Sequence, residues 1–267
     1  MILPIEMPPY YTYISGPYHG TYGEVYICDY VLLKDKRAIK KIHTFMQAEI
    51  LINEAIMQYR ITNDNVIKIY DPITHNEVKY LPMEYCPRGL VDYLKDKLKI
   101  GLIQNSEAIK QITGIYNGLN AAHNEKVIHG DLKPENVRFS QKGIIKIGDF
   151  GCAKLVFKDT PLLRGSMNYA APEVINGEEI TINSDYFSFG VLAYLILTGV
   201  HPFFPNDQSC LTSPKDLICD NSFSVIPISN YRNDIPVPLI NLIMDSLSRD
   251  IVLRDNARTG WMKYFAN

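Results

Sequence analysis

The most informative pattern in this sequence is a run of eight residues, His129-Gly130-Asp131-Leu132-Lys133-Pro134-Glu135-Asn136. The run is predicted to be a loop between a helix that ends near Asn124 and a strand at residues 137–139. An acid, a base and a carboxamide in one short loop suit phosphoryl transfer. Asp131 can accept a hydroxyl proton, Lys133 can neutralise a moving phosphate, and Asn136 can bind a metal ion.

A second acidic motif, Asp149-Phe150-Gly151, follows a predicted strand at residues 144–147. Mg²⁺ takes few carboxylates and completes its shell with phosphate oxygens and water. Asp149 together with Asn136 would meet that requirement. The two motifs therefore predict a metal-assisted site for phosphoryl transfer.

The chain before these motifs is mostly strand-like. Strands are predicted up to Ser15 and at residues 25–28 and 37–42, with a glycine-containing turn at residues 20–23. A helix interrupts them, because residues 47–60 place apolar side chains at three- and four-residue spacings. This part of the chain therefore predicts a small β-rich lobe.

After Cys86 the predicted elements are mainly helices rather than strands. Amphipathic or buried helices are predicted at residues 91–98, 106–124, 184–198 and 238–248. The pattern favours an α+β fold in which a small β-rich lobe precedes a larger, mainly helical lobe.

The lobe boundary is predicted near residues 84–87. We expect a single domain over residues 1–267, with an N-lobe at 1–85 and a C-lobe at 86–267. A cleft between two such lobes is a favoured place for a ligand.

The composition indicates a globular protein, and the net charge bears on its partners. The 267 residues are 46% hydrophobic and 21% charged, which is ordinary for a globular chain. With a net charge of −2 and an isoelectric point near 6.3, the chain lacks the excess of positive charge that is typical of proteins that bind nucleic acid or anionic lipid. We expect neither nucleic acid nor a membrane as a partner.

The five cysteines are odd in number and form no Cys-x-x-Cys pair, so reduced thiols are expected rather than a disulfide framework or a zinc knuckle. The N-terminal stretch carries Glu6 and three prolines where a signal peptide would have its apolar core. The longest apolar run is far shorter than the roughly 18 residues that a membrane span needs. We expect a cytoplasmic or nuclear protein that is neither secreted nor membrane-spanning.

Further motifs occur in a fixed order around the first two. They are Gly20-Thr21-Tyr22-Gly23-Glu24-Val25, Ala38-Ile39-Lys40, Met83-Glu84-Tyr85, Ala171-Pro172-Glu173, Asp185-Tyr186-Phe187-Ser188-Phe189-Gly190 and Arg258. With residues 129–136, here called the catalytic loop, the ordered set resembles the eukaryotic-type protein kinase family over nearly the whole chain. Lys133, after the aspartate, resembles the serine/threonine branch of that family.

The resemblance implies an ion pair in the N-lobe. Lys40 would bind the α- and β-phosphates of ATP and pair with Glu54 on the helix, with Glu49 as the competing partner. Glu54 is preferred because it lies eleven residues before Asn65. Asn65 belongs to a stretch, Asn63-Asp64-Asn65-Val66, that resembles the family's His-Pro-Asn-Val turn.

The resemblance also implies an ATP site between the lobes, with Mg²⁺ held by Asn136 and Asp149. Met83 would guard the back of the adenine pocket, and the backbone at the hinge would pair with adenine. The residues implied to contact the nucleotide are Gly20, Gly23, Val25, Ala38, Lys40, Met83, Glu84, Cys86 and Arg138.

In the C-lobe the resemblance implies structural roles. Glu173 would pair with Arg258, and Asp185 would brace the catalytic loop from a buried helix. His129 is expected to be a buried scaffold residue rather than a proton carrier.

The chain departs from the family at Gly130, which replaces an arginine that commonly holds a phosphorylated activation segment. Switching by that ion pair is not expected, although Thr160 and Ser166 are candidate phosphoacceptors in the segment 149–173. The His-Gly-Asp triplet also resembles small-molecule kinases of the aminoglycoside and choline type. Lys133, the Ala-Pro-Glu triplet and Asp185 favour the protein-kinase branch.

Three further departures concern the nucleotide site. Tyr18 replaces the first glycine of the loop and would either crowd the phosphates or point outward. Gln58 is polar where the family has an apolar residue between the lobes, so either Met57 takes that place or the position of Glu54 is shifted. Arg138 replaces an apolar residue beneath adenine, and a guanidinium is costly in a dry pocket unless it is paired or reaches solvent. We expect weaker or atypical nucleotide binding.

These patterns predict a serine/threonine protein kinase that transfers the γ-phosphate of Mg-ATP to protein hydroxyls. Asp131, Lys133, Lys40 and Glu54 are the predicted catalytic residues. Two alternatives stay open, a non-catalytic pseudokinase that binds partners and a small-molecule kinase. Because no regulatory domain is recognisable, we expect control by a partner or by abundance.

Overall fold

The computed structural model describes residues 6–20, 23–42, 45–156, 166–204 and 213–266. Its N-terminal part is an antiparallel sheet with the strand order β1-β2-β3-β5-β4 and a helix, α1, between β3 and β4. The strands are β1 (Tyr11–Gly20), β2 (Gly23–Tyr30), β3 (Asp35–Ile42), β4 (Ile73–His75) and β5 (Val78–Glu84), and α1 is Phe45–Tyr59.

The register of this sheet determines which side chains share a face. Val25 on β2 is opposite Lys40 on β3, and Ala38 on β3 is opposite Met83 on β5. Opposed residues, and residues two apart on one strand, project to the same face of a sheet. One face of the sheet therefore carries Val25, Ala38, Lys40 and Met83. Lys40 on this face contacts Asp149 of the C-lobe.

The opposite face of the sheet has its own small core. Tyr26, Cys28, Ile39 and Tyr80 are buried there, together with Tyr11. Burial raises the pKa of the Cys28 thiol to about 12, so this cysteine is a packing residue. The N-lobe sheet therefore has a mainly apolar core on one face, where Arg37 is also buried, and carries Lys40 on the other.

The rest of the described chain is mainly helical. Its helices are α2 (Leu90–Leu98), α3 (Asn105–Asn124), α4 (Pro172–Ile175), α5 (Ile182–Thr198), α6 (Pro214–Cys219), α7 (Val237–Ser246) and α8 (Ile251–Ala266). Its short strands are β6 (Arg88–Gly89), β7 (Val127–Ile128), β8 (Val137–Phe139), β9 (Ile145–Ile147) and β10 (Lys154–Leu155). Strands β6, β8 and β9 form one sheet, and β7 pairs with β10.

Helix α5 is the central helix of the C-lobe core, and nearly all of its side chains are buried. It begins at a capping box in which Thr181 and Ser184 satisfy each other's backbone N–H groups. It ends at Gly199, whose φ of +76° suits a glycine after a helix. No helix in the described ranges, α5 included, has the length and apolar content that a membrane crossing needs.

The predicted two-lobed α+β fold is confirmed by this architecture. The predicted helices at 91–98, 106–124, 184–198 and 238–248 correspond to α2, α3, α5 and α7 within two residues at each end. Helix α8 was missed, because three consecutive apolar residues at 251–253 are exposed while Arg254 is buried. That sequence has no helical periodicity to detect.

Candidate active site

Asp185 of α5 holds the catalytic loop through two hydrogen bonds from its backbone. Its Oδ2 accepts the N–H of His129 at 2.8 Å, and its Oδ1 accepts the N–H of Gly130 at 2.9 Å. Burial alone would raise the pKa of Asp185, but hydrogen bonds from His123 and from the Gly130 N–H hold that pKa below its ordinary value. The carboxylate is therefore charged, and its predicted bracing role is confirmed.

His129 is fully buried beside this carboxylate. Its Nε2 donates to the Gly148 carbonyl at 3.1 Å, and its Nδ1 accepts the N–H of Asp131 at 3.3 Å. The ring packs on Phe150 with 4.6 Å between ring centroids. Both nitrogens are occupied by the backbone, as expected for a scaffold residue.

Gly130 stands at the position where the resemblance implies an arginine. Its φ is +77°, and a Cβ there would lie 2.9 Å from the carbonyl oxygen of Cys152. A side chain would require both a left-handed backbone and displacement of that carbonyl. The backbone of this loop therefore favours glycine at position 130.

The polar groups of the catalytic loop converge on the Asp131 carboxylate. Its Oδ2 accepts from Lys133 Nζ at 2.7 Å and from Asn136 Nδ2 at 3.2 Å. Its Oδ1 accepts the N–H of Ser166 at 2.7 Å, and the Ser166 hydroxyl accepts from Lys133 at 2.7 Å. Ser166 thus ties the far end of the activation segment to the loop, whereas Thr160 lies outside the described residues.

A second polar group connects the two lobes. Lys40 Nζ contacts Glu54 Oε2 at 2.6 Å and Asp149 Oδ1 at 3.1 Å. The side chains of Lys40 and Glu54 are only 8% and 3% exposed. Of the two acids considered as partners of Lys40, Glu54 therefore forms the ion pair. The side chain of Glu49 lies outside the described part of the chain.

The charges of this group are set by their surroundings. Burial alone would lower the pKa of Lys40, but the carboxylates of Glu54 and Asp149 outweigh burial and raise it. Burial would likewise raise the pKa of Asp149, but Lys40 holds it below its ordinary value. Lys40 is thus a cation and Asp149 an anion at neutral pH.

Asp149 and Asn136 fit the requirements of a magnesium site. Asp149 has a left-handed backbone with a φ of 61°, an uncommon conformation for a residue with a side chain. Its Oδ1 is bound by Lys40, which leaves Oδ2 available. Asn136 uses its amide nitrogen on Asp131, and its amide oxygen is the type of atom that Mg²⁺ prefers.

The glycine loop begins at the β1–β2 turn. Gly20 and Gly23 pair across the end of this hairpin, and residues 21–22 lie outside the described part of the chain. Tyr18, two residues before Gly20, is 56% exposed, and its hydroxyl donates to Ser15. Of the two alternatives for Tyr18, the structure has the outward one.

Residues 84–87, the predicted hinge, are contacted by two cations from the β8–β9 hairpin. Arg138 Nε donates to the carbonyl of Cys86 at 2.8 Å, and Lys146 Nζ contacts Glu84 Oε2 at 3.1 Å. Arg138 and Lys146 are opposed in the hairpin. Arg138 is therefore paired with a hinge carbonyl, and Lys146 is a hinge contact that the sequence analysis missed because a lone strand lysine carries no signal.

Gln58 of α1 is buried, and its Nε2 donates to the Ile67 carbonyl at 2.6 Å. Among the described residues its Oε1 has no hydrogen-bond partner. Met57 belongs to the same apolar cluster as Phe150 of the C-lobe. The apolar link between the lobes therefore involves Met57, one of the two alternatives that the sequence left open.

The predicted pair between Glu173 and Arg258 is wrong. Glu173 Oε2 accepts from Arg254 Nη2 at 2.6 Å, and Arg254 is fully buried. Arg258 lies one turn further along α8 and pairs with Asp255 at 2.8 Å. The two arginines are four residues apart and lie on one side of the helix, so their spacing does not show which one pairs with Glu173. Burial distinguishes them, because Arg254 is the buried one.

Comparison with known proteins places this arrangement in a family. The family model described as protein kinase domain matches residues 19–262. A Clostridium perfringens protein that carries the name probable serine/threonine-protein kinase is 32% identical over 206 residues, covering 75% of this chain and 29% of its own length. The carbon catabolite-derepressing protein kinase of Secale cereale is 31% identical over 247 residues, covering 88% of this chain and 46% of its own.

A third relative is the catalytic subunit alpha of an SNF1-related protein kinase from Arabidopsis thaliana. It is 36% identical over 195 residues, covering 69% of this chain and 38% of its own length. The chain thus spans less than half the length of these relatives. With the family model matched from the glycine loop to the last helix, the chain belongs to the protein kinase family.

Proposed function

We propose that this chain is a serine/threonine protein kinase that transfers the γ-phosphate of ATP to a protein hydroxyl. The observation that carries the proposal is the buried bridge from Glu54 through Lys40 to Asp149, with the Asp131 cluster beside it. Taking charged groups out of water costs free energy, which the contacts of Lys40 with both carboxylates offset. Here the bridge connects the N-lobe sheet to the motif proposed to hold the metal.

The proposed mechanism assigns one task to each group. Lys40, kept protonated by its two carboxylates, positions the α- and β-phosphates. Asp131 Oδ1 accepts one hydrogen bond, from the Ser166 N–H, so it has a lone pair left for a substrate hydroxyl. Lys133 lies 2.7 Å from the same carboxylate and is placed to neutralise the transferred phosphate.

In the proposed step the substrate oxygen attacks the γ-phosphorus while the bond to the bridging oxygen breaks. ADP leaves with the electron pair, and the hydroxyl proton passes to Asp131 and then to solvent. Magnesium, held by Asn136 and Asp149, would neutralise charge on the phosphates. The nucleotide would lie against Val25, Ala38 and Met83, with its base toward the hinge at 84–87.

The remaining predictions follow from this proposal. We propose one kinase domain with its hinge between an N-lobe at 1–85 and a C-lobe at 86–267. Proteins with serine or threonine hydroxyls would be its substrates, and the net charge of −2 disfavours nucleic acid as a partner. The odd number of cysteines supports a reducing compartment, cytoplasmic or nuclear.

The test is transfer of labelled γ-phosphate from Mg-ATP to generic protein substrates and to the chain itself. Wild type is compared with Asp131→Asn, and phosphoamino-acid analysis identifies the acceptor. We expect label on serine or threonine in wild type and a loss of at least about a hundredfold in the variant. ATP binding, measured separately, should survive in the variant because Asp131 does not hold the nucleotide.

Two outcomes would contradict the proposal. Nucleotide binding without any phosphate transfer would identify a pseudokinase. Transfer to an aminoglycoside or choline, without label on protein, would identify a small-molecule kinase.

A further inference from the structure

Residues 152–156, at the start of the activation segment, are held from three sides by other parts of the molecule. Strand β10 pairs with β7, and beyond this pairing the Val156 N–H donates to the Lys126 carbonyl at 3.0 Å. From a second side, Asn53 of α1 donates through Nδ2 to the Ala153 carbonyl at 3.0 Å. The proposed kinase mechanism uses none of these contacts.

The third side is an ion pair that includes a buried cation. Lys154 Nζ of β10 contacts Glu179 Oε1, in the segment between α4 and α5, at 2.8 Å. The Lys154 side chain is only 4% exposed, whereas that of Glu179 is 66% exposed. Within the described ranges, Glu179 is the one carboxylate that forms an ion pair with Lys154. Because a buried charge is costly without its partner, loss of the Glu179 carboxylate would disfavour the present position of Lys154.

This ion pair lies beside Gly130 of the catalytic loop. A Cβ at Gly130 would lie 2.9 Å from the Cys152 carbonyl oxygen and 3.3 Å from Cδ1 of Ile180. Cys152 and Ile180 belong to the two segments that the ion pair joins. Gly130 has no side chain with which to hold either segment, so the charges that join them there are those of Lys154 and Glu179.

The anchored residues are continuous with the bridge between the lobes. Asn53 precedes Glu54 on α1, and the anchored residues follow directly after the Asp149-Phe150-Gly151 motif. Lys40 contacts both Glu54 and Asp149. A displacement of residues 152–156 would therefore move both carboxylates relative to Lys40.

We infer that the ion pair of Lys154 and Glu179 positions the activation segment for phosphate transfer in the unphosphorylated chain. A phosphate group orders a loop by placing an anion opposite a cation. Glu179 is an anion already in contact with Lys154, so no phosphate is needed to hold residues 152–156. The effect on phosphate transfer rests on the proposed function, whereas the anchoring of residues 152–156 does not.

The first test is amide hydrogen exchange measured by mass spectrometry, which does not depend on enzymatic activity. In Glu179→Gln we expect residues 153–156 to exchange at least about tenfold faster than in wild type, because the anchored residues open more often. The buried core of α5 should exchange as in wild type, which separates local release from general destabilisation. The matched control is Glu178→Gln, since Glu178 is exposed and pairs with no described cation, and it should exchange like wild type.

The second test follows transfer of labelled phosphate from Mg-ATP to a generic protein that contains serine and threonine. Wild type is treated with a phosphatase, separated from it, and shown by its mass to carry no phosphate. We expect transfer to begin without a lag, at a rate within about twofold of that of untreated protein, because the active arrangement is already populated.

Variants show whether the two charges act as a pair in transfer. Glu179→Gln should lower kcat about tenfold and change KM for ATP less than about twofold, because it depopulates the active arrangement and leaves the proposed ATP contacts unchanged. Glu179→Asp keeps the anion and should retain kcat within about threefold of wild type. Lys154→Met removes the buried charge, so adding Glu179→Gln to it should change kcat by less than about twofold further.

Three results would overturn the inference. Unchanged exchange of residues 153–156 in Glu179→Gln would show that the ion pair does not anchor them. A rate that falls at least about tenfold after phosphatase treatment would show that the segment needs a phosphate. Full additivity of Lys154→Met and Glu179→Gln would show that the two residues act separately. A chain that transfers no phosphate would refute the proposed function, while the exchange result would still decide the anchoring.

Discussion

His201 is a neutral imidazole held by two backbone hydrogen bonds. Its Nε2 donates to the Asn168 carbonyl at 3.0 Å, and its Nδ1 accepts the N–H of Phe203 at 3.1 Å. Burial lowers its pKa from 6.5 to about 4. A proton on Nδ1 would face the Phe203 N–H, so protonation breaks the hydrogen bond that closes the turn at residues 201–203.

This geometry predicts an acid-dependent loss of stability. Between pH 6.5 and about 4 the unfolded chain binds a proton at His201 that the folded chain does not. The stabilising contribution is therefore complete above pH 6.5 and is lost as the pH falls toward 4. Denaturant unfolding should show a decrease of up to about 3 kcal/mol from this residue.

His201→Gln should remove that pH-dependent part of the unfolding free energy. Substitution of the exposed His19 by glutamine should leave the pH profile like that of wild type. Identical pH profiles for wild type and His201→Gln would contradict the assignment.

Arg138 should reduce nucleotide affinity. Its guanidinium donates to the carbonyl of Cys86. In the proposed nucleotide site, Arg138 takes the position at which an apolar side chain would cover the base. Arg138→Leu should therefore tighten ATP binding by roughly threefold to tenfold, because added apolar contact is worth about 1 kcal/mol. Calorimetric titration measures this change.

The matched control is Lys142→Ala, which removes an exposed cation from the turn after β8. It should leave ATP affinity unchanged. Unchanged or weaker ATP binding by Arg138→Leu would show that Arg138 does not disfavour the nucleotide.

At the scale of elements, α3 packs closely on the segment before β4 through its glycines. A Cβ at Gly118 would lie 2.5 Å from the Asn65 carbonyl oxygen and 3.1 Å from Ile147 of β9. The absence of a side chain thus lets α3 approach the strand that leads to Asp149. This packing positions the Asp149-Phe150-Gly151 motif relative to the catalytic loop.

Gly118→Ala should destabilise the protein by about 1–3 kcal/mol, although alanine favours a helix over glycine by about 1 kcal/mol. Asn117→Ala, on the exposed side of the same turn, should change the free energy of unfolding by less than about 0.5 kcal/mol. Both are measured by denaturant unfolding. A Gly118→Ala variant as stable as wild type would show that the two elements are not tightly packed there.

At the scale of the whole molecule, a buried ion pair joins α4 to α8. Glu173 and Arg254 are 81 residues apart in sequence, and the Arg254 side chain is 1% exposed. Removal of one member of such a pair leaves an unpaired buried charge. The pair therefore connects the end of the activation segment to the last helix.

Arg254→Met should lower the free energy of unfolding by about 3–5 kcal/mol. Arg258→Ala breaks only a partly exposed pair with Asp255 and should cost less than about 1 kcal/mol. Thermal and denaturant unfolding of both variants measures the difference. Equal effects of the two substitutions would contradict the assignment of Arg254 as the partner of Glu173.

The ordered motifs are sufficient to identify the family and the two-lobed fold from the sequence alone. Asp131, Lys133, Asn136 and Asp149 are close in sequence, so spacing and chemistry were sufficient to group them. The long amphipathic or apolar runs of α3 and α5 were likewise readable, because helical periodicity is a local property.

Contacts between distant segments depended on the tertiary structure. Glu173 pairs with Arg254 rather than Arg258, and Arg138 binds the Cys86 carbonyl, because burial and packing bring those groups together. Sequence spacing records which residues share a helix face, but not which of them meets a partner from elsewhere in the chain. The partner of a charged side chain depends on how far folding removes that charge from water. The order of residues along the chain does not record this.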